Sequence, residues 1–229
     1  MKVSNKWLFV LIVTLLVVFS PSVSHALTAI AGSGSLGSFT GYFDYNPALA
    51  NLEIIIKNTS PAANGGYLTS FAFNLPSRYI TDVSLTTADA DFTLFGGTSF
   101  SNSVTGAPNG QFDIATGVGV SFLGSGTPSD GLGVGAQETF LFGFTGAGLN
   151  TLEDQDFLNE TSVPPAIGEG AESFLVRFNG FVNGGSDKVP GVPGDPEDPE
   201  NPVIPEPATM LLFSAGLLGA FGLKRKNKK

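Results

Sequence analysis

The chain contains no cysteine, and its single histidine and single tryptophan, His25 and Trp7, both fall within the first twenty-six residues. Everything downstream therefore lacks all three residue types. That excludes zinc sites built on Cys and His, thiol nucleophiles and every Ser-His-Asp arrangement. Disulfides are excluded too, although a domain of this size does not need them. Positive charge is almost as scarce. Leu27–Ile204 holds four basic residues, Lys57, Arg78, Arg177 and Lys188, against nineteen acidic ones, hence −15, where the whole chain carries −9. A surface of that sign repels nucleic acid and anionic lipid headgroups, so no nucleic-acid partner is expected. The chemistry left is that of carboxylates, Ser-Lys pairs and hard-cation sites.

Long helical periodicity is missing as well, and a period of two stands in its place. Leu52, Ile54 and Ile56 alternate with Glu53, Ile55 and Lys57. Phe71, Phe73 and Leu75 alternate within Tyr67–Leu75, Val118, Val120 and Phe122 with Gly119 and Ser121, Phe140, Phe142 and Phe144 with Leu141 and Gly143. Phe174, Val176 and Phe178 do the same, and Phe39–Tyr45 and Tyr79–Thr86 read as further strands. Turn residues separate these runs, including Asn46-Pro47, Asn64-Gly65-Gly66, Gly96-Gly97, Asn109-Gly110 and Asn183-Gly184-Gly185. Short strands with one apolar face need a second sheet to bury against. The expectation is an all-β domain over 27–185, an antiparallel β-sandwich of immunoglobulin-like or jelly-roll-like form. One short helix is expected near Thr151-Leu152-Glu153-Asp154, which has the form of a capping box, with Phe157 and Leu158 packing on the sheets and Pro164-Pro165 ending it. Residues 186–202 read as an extended acidic linker, because Pro190, Pro193, Pro196, Pro199 and Pro202 recur every third residue.

The two ends have a different character. Lys2 and Lys6 precede the apolar run Trp7–Phe19, and Ser20–Ala26 supplies a polar exit with small residues at Ser24 and Ala26. That is the layout of a secretory signal peptide over 1–26, cut by signal peptidase after Ala26. At the other end Pro205-Glu206-Pro207 leads into the uncharged stretch Ala208–Leu223, closed by Lys224-Arg225-Lys226-Asn227-Lys228-Lys229. Sixteen helical residues cover roughly 24 Å, short of a ~30 Å hydrocarbon core, yet snorkelling lysines and local thinning let 208–223 serve as a transmembrane helix. The basic end, Lys224, Arg225, Lys226, Lys228 and Lys229, stays on the cytoplasmic side of the inner membrane.

This tail, 203–229, closely resembles the PEP-CTERM sorting signal of Gram-negative bacteria, with Pro205, Glu206 and Pro207 matching the motif residue by residue. The resemblance implies recognition by an exosortase, a membrane-embedded cysteine protease, followed by delivery to the cell surface or extracellular matrix. Bearers of such tails are linked to exopolysaccharide and biofilm matrix. Asn58–Pro76 also loosely resembles a segment recurring among exported proteins of this kind, which implies no activity.

Within the exported region the candidate sites are few. Asp89 with Asp91, and Asp154 with Asp156, offer i, i+2 acids that could chelate Ca2+, though neither has the Gly and distal Glu of an EF-hand loop. Tyr42 and Asp44 share an outward face if Phe43 and Tyr45 point inward, a pairing suited to stacking and hydrogen-bonding a sugar. No stretch resembles a hydrolase motif. The expectation is a non-enzymatic exported protein without an obligatory cofactor; the alternatives are an exopolysaccharide-binding module and, further off, a glycoside hydrolase using two carboxylates.

Overall fold

The computed structural model describes residues 27–76, 79–96, 100–124, 126–164 and 171–193. The expected signal peptide with Ala26, Pro205-Glu206-Pro207, the stretch 208–223 expected to be a helix and the basic end lie outside these residues. The described ones belong to one compact unit, Leu27–Asp198.

Among the described residues thirteen strands carry the fold: β1 (Thr28–Ser33), β2 (Ser38–Asn46), β3 (Asn51–Asn58), β4 (Gly65–Phe73), β5 (Ile80–Thr87), β6 (Phe92–Phe95), β7 (Val104–Thr105), β8 (Gln111–Phe112), β9 (Ile114–Val118), β10 (Leu132–Gly133), β11 (Gln137–Gly146), β12 (Phe174–Phe181) and β13 (Ser186–Pro193). All pairings are antiparallel. Eleven strands form one sheet in the order β5-β11-β3-β2-β1-β13-β12-β4-β9-β6, with β10 on the side of β4, while β7 and β8 make a separate pair. The sheet is folded over on itself and nearly closed. Its first half, β5-β11-β3-β2-β1, faces its second, β13-β12-β4-β9-β6.

A sandwich has two sheets; here they are joined through the short β1–β13 ladder, Ile30 opposite Pro193 and Ala31 opposite Val192. A side chain at Gly32 would put its Cβ 2.3 Å from the Pro190 carbonyl oxygen, so this glycine lets the two strands approach. Accordingly Ser186–Pro193 is a strand and not the start of the linker. Its apolar residue Val189 is fully buried, and hydrogen bonding to β12 outweighs the composition bias that suggested a spacer. The domain therefore runs at least to Pro193.

Packing follows the period-two pattern. Phe39, Phe43 and Tyr45 of β2, Leu52, Ile54 and Ile56 of β3, and Phe140 and Phe142 of β11 are fully buried or nearly so. Phe71 and Phe73 of β4 and Phe174, Val176 and Phe178 of β12 meet them from the second half. Ring pairs cross the interior at Phe71–Phe140 (4.9 Å), Phe92–Phe140 (5.0 Å), Phe73–Phe142 (5.1 Å) and Phe43–Phe174 (5.6 Å). Edge-to-face pairs of this kind add about 0.5–1.5 kcal/mol each to the burial of the rings. That core replaces the missing disulfides.

Three local expectations need correction. Val118 ends β9; Gly119 then takes φ +96, Val120 is 79 % exposed, and Phe122 turns back to be buried elsewhere. A helix, α1 (Asp154–Asn159), is present, but its cap is Glu153 rather than Thr151, with the Glu153 N–H donating to the Asp156 carboxylate at 2.8 Å. Leu149–Thr151 forms a 3-10 turn instead, and α1 ends well before Pro164 because Glu160 is already extended. Phe157 is fully buried against Tyr45 and Phe144, closing one end of the core.

The second half is covered on its outer face as well. Phe112 and Val104, brought there by the excursion around β7 and β8, and Phe122 of the loop after β9 pack on Ala72, Ala115 and Leu175 as a second, smaller core. This explains why every residue of β9 is buried.

Candidate functional site

Carboxylates were the chief chemical resource expected, and the structure spends several of them on the backbone. Asp113, 8 % exposed, accepts from Leu75 N at 2.9 Å and Asn102 N at 2.8 Å. Asp187 accepts from Leu36 N at 2.7 Å and Gly37 N at 3.1 Å, pinning the β1–β2 turn. Asp154 accepts from Tyr45 N at 2.6 Å and from Thr28 Oγ1 at 3.0 Å, fastening α1 to β1 and β2. Such bonds occupy lone pairs that a ligand would otherwise use.

The candidate cation pairs are placed as follows. Asp154 points into the core edge just described, while Asp156 turns to the start of its own helix. Asp89 accepts from Asp91 N at 3.0 Å in the bend between β5 and β6. Among the described residues no group of three or more His, Cys, Asp or Glu side chains is placed to hold a metal ion.

Tyr42 and Asp44 do lie on the outward face of β2, since Phe43 and Tyr45 are buried. Tyr42 stands between Ala29 and Ile55, and Asp44 stands opposite Glu53, so its cross-strand neighbour carries the same charge. Tyr45 itself is a core residue. Its hydroxyl donates to the Leu149 carbonyl at 2.8 Å, and burial pushes its pKa up, keeping that proton in place. Asn58, which heads an N-x-S pattern, is fully buried and donates to the Gly66 and Leu132 carbonyls.

One arrangement escaped the sequence reading. Arg177 of β12 and Lys188 of β13 are direct cross-strand partners on the outer face of the second half. Two of the four cations of Leu27–Ile204 thus stand side by side. The Arg177 Nη1 donates to the carbonyls of Phe122 and Gly124, both at 3.1 Å, so the loop after β9 holds the guanidinium in place. Burial pushes the Arg177 pKa down, and burial followed by the Arg177 charge does the same to Lys188. The β12–β4 ladder shifts register beside them, with Arg177 opposite Ser70 but Phe178 opposite Leu68. That bulge keeps Leu68 and Phe71 both in the core and leaves Thr69 and Ser70 beside Arg177. Lys188 falls in the stretch whose prolines suggest a linker, and sequence alone carries no signal that would pair it with Arg177.

Comparison with known proteins adds one finding. Residues 203–226 match the PEP-CTERM protein-sorting motif. The tail therefore carries that motif, which implies export, a membrane-anchored sorting signal and an exosortase as processing partner. No curated protein and no solved structure matches the chain. Among the described residues no helix is long and apolar enough to cross a membrane.

Proposed function

We propose that this chain is an exported, non-enzymatic protein of the cell surface or extracellular matrix, released there after an exosortase-type protease removes its tail. The observation that carries the reading is the PEP-CTERM match over 203–226. The signal-peptide layout of 1–26 supports it, because both ends then place the intervening domain outside the cytoplasm. Composition supports the non-enzymatic part: Leu27–Ile204 has neither Cys nor His, and Asp113, Asp154 and Asp187 are engaged by backbone N–H groups. Before processing, 208–223 anchors the protein in the inner membrane and the basic end retains it.

Replacing Pro205, Glu206 and Pro207 together by alanine tests the proposal in the native host. The variant is expected to accumulate uncut in the inner membrane. Normal processing and surface delivery of that variant would refute it.

A further inference from the structure

We propose that the Arg177–Lys188 pair is a binding site for the carboxylate of an acidic saccharide. The site uses only residues of the sheet and stands apart from the sorting reading.

Its charge is the first argument. Cross-strand neighbours place their Cβ atoms about 4.5–5.5 Å apart, and like charges so placed repel. A domain with only four cations holds two of them in this arrangement. Among the described residues the Lys188 ammonium makes no hydrogen bond or ion pair, and Arg177 engages only neutral carbonyls. Lys188 is half-buried, so desolvation adds to the repulsion. An arriving oxyanion relieves both penalties, and it can bridge the ammonium and the guanidinium with charge-assisted hydrogen bonds.

Construction is the second argument. Two carbonyls of one loop fix the guanidinium through a single nitrogen, leaving its other donors for a ligand. The adjacent bulge turns Thr69 and Ser70 outward. Ser70 Oγ donates to Phe122 O, and Asn179 Nδ2 donates to Thr69 Oγ1, so the floor of the site is itself hydrogen-bonded.

The neighbours select a saccharide over a bare anion. The next outward row along the strands sets Ser186 beside Asn179 and Asn179 beside Tyr67. Tyr67 is half-buried and bordered by glycines: a Cβ at Gly180, whose φ is +72, would lie 3.3 Å from the ring, and one at Gly133 would lie 3.6 Å away. Hydroxyl, amide and aromatic ring thus follow the two cations in line. A sugar ring can stack on the tyrosine and hydrogen-bond Asn179 and Ser186 while its carboxylate, or that of the next residue, reaches the cations. The net −15 of Leu27–Ile204 does not prevent this, because at physiological salt fields are screened over about 8 Å.

The test is binding of oligogalacturonate, with neutral dextran as the comparison, to the full chain in mild detergent at physiological salt. Expected is saturable binding of oligogalacturonate and none of dextran. Lys188→Gln should weaken binding about tenfold or more, as loss of a charged hydrogen bond does. Tyr67→Ala should weaken it severalfold, while Lys57→Gln, which removes the same charge from the first half, should leave it unchanged. Among the described residues the Lys188 side chain makes no hydrogen bond or ion pair, so its variant keeps the structure, and a melting temperature equal to or slightly above that of the wild type verifies this. No binding by the wild type, or equal losses for Lys188→Gln and Lys57→Gln, would overturn the proposal.

Discussion

The two halves of the folded-over sheet solve the same burial problem differently. The first half buries one face against the core, and on its outer face Thr40, Lys57 and Thr139 are exposed. The second half buries its inner face in the same core, and part of its outer face beneath Phe112, Phe122 and Val104. A strand covered on one side alternates; a strand covered on both does not. Stability in the first half therefore rests on the shared core alone, while the second half has an additional, smaller cluster and the polar anchors that hold its cover.

Mutations can sharpen or break this contrast. Truncating Phe174→Ala should have the largest effect, about 3–5 kcal/mol by denaturant unfolding, because its ring touches Phe39, Phe43, Phe71 and Phe73. Both halves should loosen together. Phe122→Ala should cost about 3 kcal/mol, and hydrogen exchange should show the loss confined to the loop and the amides of β9 and β12. If exchange rose equally in β2 and β3, the smaller core would not be a separate unit. Asp113→Ala orphans Leu75 N and Asn102 N and should cost about 2 kcal/mol. Tyr42→Ala, on the uncovered outer face, should cost no more than about 0.5–1 kcal/mol, the value of its cross-strand contact with Ile55.

The smallest effect concerns pH. Burial and Arg177 hold the Lys188 pKa below its ordinary 10.5. Between the lowered value and 10.5 the unfolded chain binds more protons than the folded one, so this group adds stability as pH rises through that window. Lys188→Gln should therefore melt slightly higher than wild type at neutral pH, and the gap should close as the solution approaches pH 10.5. A gap that is constant with pH would mean that the cation pair carries no strain.

The same contrast governs what the sequence discloses. The alternating runs of β2, β3 and β11 were readable because each has water on one side, and their buried sets, such as Leu52, Ile54 and Ile56, came out as expected. The Phe residues of β4 and β12 were readable too, since the interior they fill is shared. What stayed hidden belongs to the second half and its seam. The short strands β6 to β8 and β10 offer too few residues for a period to register. Val118, Val120 and Phe122 alternate on paper, yet Gly119 breaks the strand and sends Phe122 to the outer face. Prolines made β13 look like a spacer, although Pro190 and Pro193 sit in a strand whose pairing with β1 is confined to two positions. Of the functional features, the tail was legible because its three parts are contiguous. The Arg177–Lys188 pair was not, because it exists only once two strands are in register.

On the function proposed above, this domain leaves the cell interior and loses both ends. Mass spectrometry of the protein recovered from the native cell surface and medium tests it most directly. Expected are an N-terminus at Leu27 and a C-terminus near Pro205-Glu206-Pro207, with no peptide from 208–229. Recovery of the intact chain ending at Lys229, in the inner membrane alone, would contradict it.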